Sequence, residues 1–244
     1  MFEKLSQKIK THSFVNSDTF AIFVVKILNK DKMKKIFYLL TVLFTASILF
    51  TACRDDKPKP SDPSVTDEGV VINDVRWATR NVDMPGTFAP YPESFGMFYQ
   101  WGGNIGWIST DYSVINSNGD DLWDVGWSSP IGSIWKQAQD PCPPNWRVPT
   151  SEEILSLYDA DNIWTTQNGI NGRLFGTAPN QIFLPASGIF NANGQFGLKG
   201  VRGEYWSSTP RGSFRWYLIF REDHIIMGGL HFGSEGLNIR CVAK

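Results

Sequence analysis

The residues best equipped for chemistry lie between Gly203 and Cys241, GEYWSSTPRGSFRWYLIFREDHIIMGGLHFGSEGLNIRC. Within that run, Arg211, Phe214, Arg215, Tyr217, Ile219, Arg221, Asp223, His224, Ile226, His231 and Phe232 mix guanidinium, aromatic, imidazole and apolar groups. These residue types dominate binding hot spots, and stiff aromatic side chains lose little entropy when a partner arrives. Catalysis is less well provided for. Asp223 beside His224 could orient an imidazole, but no nucleophile elbow or triad motif accompanies the pair, and no catalytic residue is assigned. From Cys53 onward the only histidines are His224 and His231, with no CxxC or HExxH spacing, so no metal or cofactor is expected. Asn116 to Asp121, NSNGDD, clusters oxygen donors of the kind calcium takes. It lacks the glycine and terminal glutamate positions of an EF-hand, and a solvated turn is the simpler reading.

The element that must position these groups is a strand over Arg215–Arg221. Side chains alternate along a strand, so Trp216, Leu218 and Phe220 share one face and Arg215, Tyr217, Ile219 and Arg221 the other. The second face is large, mixed and partly apolar. It is either buried, giving a strand enclosed on both sides, or displayed as an interaction patch. Asp223 to Phe232 has no clear period, is broken by glycines and reads as a loop or irregular hairpin.

The remaining elements are short. Val70 to Ala78 predicts a hairpin turning at Asn73-Asp74. Gly96–Trp101 and Gln181–Ala186 read as strands, and Asn191–Gly194 as a hairpin tip. Asn104 to Ser129 is a polar insertion anchored by Trp107, Tyr112, Trp123 and Trp127. Thr150 with Glu153 forms a capping box for a helix to about Ala160, with Ile154, Leu155 and Tyr158 on one face. All ten tryptophans follow residue 76, Gly and Pro are frequent, and long helical periods are scarce. This favours a loop-rich α+β or mostly β domain.

The amino end reads differently. Residues 33–52 open with Met33-Lys34-Lys35 and continue into an apolar stretch, Ile36 to Phe50, of signal-peptide length. Phe50-Thr51-Ala52-Cys53 resembles a lipoprotein lipobox, with Phe50 where leucine is usual, and the resemblance implies lipidation of Cys53. Arg54-Asp55-Asp56-Lys57 resembles the surface-export tract of Bacteroidetes-type lipoproteins. Residues 1–32 are expected to be an upstream extension, 53–68 a Pro-rich tether and 69–244 the folded domain. Residues 1–52 carry eight of the 23 Lys and Arg and three of the 24 Asp and Glu, leaving 15 basic and 21 acidic groups, a net −6. A mildly acidic domain argues against nucleic-acid binding. With Cys53 lipidated, Cys142 and Cys241 remain as a disulfide pair or as two buried thiols. A bridge would contribute on the order of 4 kcal/mol.

Six motifs then occur in order: WATRNV from Trp77, GMFYQW from Gly96, CPPNWRVPT from Cys142, FLPASG from Phe183, YWSST from Tyr205 and IRCV from Ile239. Over residues 70–243 the chain resembles the Fibrobacter succinogenes major paralogous domain. That resemblance implies an α+β, C-type lectin-like fold: small antiparallel sheets, one or two helices, long loops and termini close together. The family is usually rich in Asn and Ser between YWSST and the last strand, whereas here the segment carries the Arg and aromatic set. In this it is similar to the variable proteins of diversity-generating retroelements. The implied function is a lipid-anchored, outer-membrane, surface-exposed binding protein for a protein or glycan ligand. A structural or fimbria-associated role is the alternative. Arg147–Glu153 also resembles a stretch of formylglycine-generating enzymes, but only Cys241 lies near the carboxyl end, where those enzymes need a thiol pair.

Overall fold

The computed structural model describes residues 66–110, 113–129 and 132–244. The expectations for residues 1–32 and 33–52, for lipidation at Cys53, for most of the tether and for Tyr112 lie outside the described residues. Of the tether, Thr66–Glu68 are described, and they belong to the domain. The enclosed Asp67 carboxylate accepts the N–H groups of Gly69 and Thr79, each at 2.9 Å, and pairs with Arg80 at 3.4 Å.

Strands follow one another in short segments because turn residues interrupt the chain every few positions. In chain order they are β1 (Val70–Ile72), β2 (Val75–Asn81), β3 (Phe98–Gln100), β4 (Gly106–Ser109), β5 (Val114–Asn116) and β6 (Trp146–Arg147). The one α-helix among the described residues, α1 (Ser151–Tyr158), comes next. Then come β7 (Asn162–Gln167), β8 (Ile170–Thr177), β9 (Asn180–Pro185), β10 (Ile189–Phe190) and β11 (Phe196–Gly197). The last group is β12 (Gly203–Arg211), β13 (Phe214–Phe220), β14 (Ile225–His231), β15 (Gly236–Leu237) and β16 (Arg240–Ala243). They form four sheets, ordered β1-β2-β16-β6, β11-β10-β15-β3-β4-β5, β12-β13-β14 and β7-β8-β9.

The expected α+β, C-type lectin-like fold is therefore corrected. Strand accounts for 45 % of the structure and helix for 6 %, and the antiparallel sheets include a half-barrel. The physical reason is that only Ser151–Tyr158 combines helical period with a cap, while the aromatic segments elsewhere suit pleated, half-buried surfaces. The hairpin at Asn73-Asp74 forms as expected, with both residues at positive φ, as a two-residue turn requires.

The capping box forms too: Thr150 accepts the Glu153 N–H, and the Glu153 carboxylate accepts the Thr150 N–H. The buried face of α1, however, is Ser151, Ile154 and Leu157, while Leu155 and Tyr158 point to solvent. The helix is two turns long and rests on the β12-β13-β14 sheet, so a single i, i+3 stripe suffices to cover it.

The interior falls into three clusters. One packs Tyr99, Trp101, Trp135, Trp206, Tyr217 and Leu237 around Cys142 and Cys241. These cysteines are bonded to each other across a sequence separation of 99, with Cα atoms 6.1 Å apart. A second sets Ile154 and Leu157 of α1 against Tyr205, Leu218, Phe220 and Phe175. The third gathers Phe98, Trp107, Trp123 and Phe190, so two of the expected insertion anchors are core residues. Asn116 in the same insertion is committed to turn closure, its side-chain oxygen accepting the N–H groups of Asn118 and Asp120.

Candidate functional site

The strand expected to display the site is the middle strand of its sheet. β13 pairs with β12 on one side and β14 on the other, with a register shift in each ladder beside Trp216. Leu218 and Phe220 face α1, as the alternation required. The opposite face, carrying Arg215, Tyr217 and Ile219, is covered as well. Trp206 N–H donates to the Asn238 carbonyl and Asn238 N–H to the Glu204 carbonyl, so residues 236–239 run beside β12; Leu237 and Ile239 share a buried cluster with Tyr217, and Trp206 Nε1 donates to the Tyr99 carbonyl at 2.7 Å.

The reading of that face as outward is thus corrected. Arg215 is 0 % exposed: its guanidinium lies 4.3 Å from the Trp101 ring and donates to the Ser129 carbonyl and hydroxyl. Burial lowers its pKa. Tyr217 is buried against Trp206, and its ring occupies the space a Cβ on Gly228 would need. Ile219 is half-buried against the disulfide cluster. These three are structural residues.

The remaining expected residues split between the two ends of β13, which seven residues of strand hold roughly 20 Å apart. At one end Arg221 leads into the β13–β14 turn, with its N–H bonded to the His224 carbonyl. There His224 Nδ1 lies 2.7 Å from Asp223 Oδ1, an exposed local pair that holds the Asp223 carboxyl below its usual range. Ile226, just beyond, is exposed.

The other end collects Arg211, Phe214, His231 and Phe232. Of the two readings of Asp223 to Phe232, the irregular hairpin is the one that forms: residues 225–231 are β14, an edge strand whose register slips between Tyr217↔Gly228 and Arg215↔His231. That irregularity sets two residues of β14, Gly229 and Leu230, opposite the single residue Trp216 and interrupts the ladder there. As a result Trp216, expected in the core, is only half-buried, and the Arg211 guanidinium sits 4.3 Å above its ring. Phe214 and Phe232 pack at 4.7 Å between centroids, and Phe232 is 58 % exposed. Leu230, 72 % exposed, completes the surface. Trp216 and Leu230 escape the sequence reading; the glycine pair, a recognisable bulge signal, is the feature that could have revealed them.

His231 stands at the boundary between this surface and the interior. Its Nε2 is 2.7 Å from Glu204 Oε2 and its Nδ1 3.3 Å from Glu235 Oε1, and its ring lies 4.4 Å from that of Tyr217. Glu204 is fully buried and also pairs with Arg202. Burial disfavours the imidazolium, but hydrogen bonds to Glu204 and Glu235 outweigh it and raise the His231 pKa to about 9. Glu235 is correspondingly lowered, with the bond from His231 prevailing over its own desolvation. At neutral pH this is a protonated ring locked between carboxylates, a poor general base. Two clefts of about 380 Å³ each are lined elsewhere, one by Asp67, Phe88 and Trp146, the other by Trp101, Trp127 and Lys136.

Compared with family models, with curated proteins and with solved structures, the chain finds no match.

Proposed function

We propose that the domain is a binding module that presents the far end of its β12-β13-β14 sheet to a protein partner. The observation that carries this reading is the Phe214–Phe232 pair, half-buried at Phe214 and exposed at Phe232, beside the Arg211–Trp216 stack. Large aromatic side chains left in solvent together mark an interaction surface. The hairpin beneath is rooted in two packed clusters, one of which contains the disulfide, so little ordering entropy is lost on binding. A projecting surface rather than a cleft suits a macromolecule more than a small ligand. The six ordered motifs support membership of the major paralogous domain family. The lipobox-like Cys53 supports a lipid-anchored protein at the outer-membrane surface, with a glycan as the alternative ligand class.

The test is capture of surface proteins from host or neighbouring cells by the wild-type chain and by a Phe214→Ser/Phe232→Ser variant. The variant should retain its unfolding midpoint and lose its partner. Equal capture by both proteins would overturn the reading.

A further inference from the structure

The surface just described carries one group that apolar docking alone does not need. Arg211 closes β12 opposite Phe214, and its side chain is exposed. Two contacts fix it. Its guanidinium lies over the Trp216 ring, and its side chain runs across the buried backbone of Gly229, where a Cβ would stand 2.1 Å from Nη1. Gly229 is thus the residue that lets the arginine lie flat on the strand.

Other arginines of the domain are engaged within the fold: Arg80 with Asp67, Arg147 with Glu153, Arg202 with Glu204, Arg240 with Asn81. Among the described residues, none hydrogen-bonds or ion-pairs with the Arg211 guanidinium. Stacking on an indole engages the face of a guanidinium and leaves its N–H edge available. That edge is a planar fork whose natural complement is a carboxylate held by two parallel hydrogen bonds. Apolar groups flank it, with Phe214, Leu230 and Phe232 exposed or half-exposed at the same end of the sheet.

We infer that Arg211, stacked on Trp216, is a receptor for a single carboxylate borne on an apolar body, either a chain-terminal carboxylate after an aromatic residue or an Asp or Glu next to one. This deepens the binding-module reading and rests on it. An open guanidinium set apart on a domain of net charge −6 suits a single carboxylate rather than a polyanion.

The experiment is an NMR titration of the full-length protein in detergent, following the Arg side-chain Nε–H resonances, with that of Arg211 assigned from an Arg211→Lys variant. Three probes are used: N-acetylphenylalanine, with a terminal carboxylate; N-acetyl-phenylalanyl-glutamic acid α-amide, with a side-chain carboxylate; and N-acetylphenylalaninamide, which is neutral. At least one carboxylate should shift the Arg211 resonance and bind about ten-fold more tightly than the amide, a difference of about 1.4 kcal/mol. The tighter carboxylate identifies the source. Arg211→Lys, which keeps charge but loses the fork, should reduce the advantage while leaving the unfolding midpoint in place. Carboxylate and amide binding equally, or no probe moving the Arg211 resonance, would overturn the inference. Failure of the Phe214/Phe232 capture test with Arg211 still selecting carboxylates would instead discard the protein-docking surface.

Discussion

His231 on β14 hydrogen-bonds Glu204 on β12 at 2.7 Å, reaching across the intervening strand β13. Glu235 on the other ring nitrogen makes both nitrogens donors, so the ring is an imidazolium tying the edge strand to the buried carboxylate.

The raised pKa of His231 has a definite sign in stability. A group whose pKa rises on folding stabilises most fully below its unfolded value, near 6.5, and that contribution disappears as pH climbs through about 9. The charged groups facing it are Glu204, Glu235 and Arg202, and Tyr217, whose own pKa is raised by burial, stays neutral across this window. Urea unfolding should therefore show stability falling by about 2 kcal/mol between pH 7 and pH 10. His231→Gln should flatten that slope.

Tyr217→Ala removes a buried ring from the disulfide cluster and should cost about 3 kcal/mol. Phe232→Ala, at the exposed end of the same sheet, should cost under about 1 kcal/mol. Paired denaturation curves check both values. Similar losses in the two variants would contradict the division between interior and surface.

Which side chains share a face was readable from β13, but what covers each face was not. Alternation placed Tyr217 opposite Leu218 correctly, yet the buried cluster that Tyr217 joins draws on Trp101 and Cys142, far away in sequence. Local signals fared best: the Asn73-Asp74 turn and the Thr150–Glu153 box depend on neighbours only. Glu204, one of the two carboxylates on His231, is 27 positions distant and left no trace in spacing. Composition left α+β and mostly β both open, and the α+β class came from the resemblance of six short motifs, which do not fix how much of the chain between them is strand.

Breaking Cys142–Cys241 opens a loop with a sequence separation of 99 and should lower stability by about 4–5 kcal/mol in the chain-entropy account. Guanidinium unfolding with and without dithiothreitol measures this. Both cysteines are buried, so reduction should need prolonged exposure or partial unfolding.

Thr150→Ala deletes the hydroxyl that accepts the Glu153 N–H and should cost about 1 kcal/mol. Because Glu153 also binds Arg147 through both guanidinium nitrogens, Glu153→Gln should cost more than a cap alone. Thermal melts followed by circular dichroism would rank the two.

Strand β16 occupies an inner place in its sheet, between β2 and β6, although it is made some 95 residues after the latter. Until residues 240–243 emerge, β2 and β6 have no common neighbour and the sheet stays in two halves. This sheet is therefore completed only after residues 240–243 have been made. A chain stalled before Arg240 would lack the strand that joins β2 to β6.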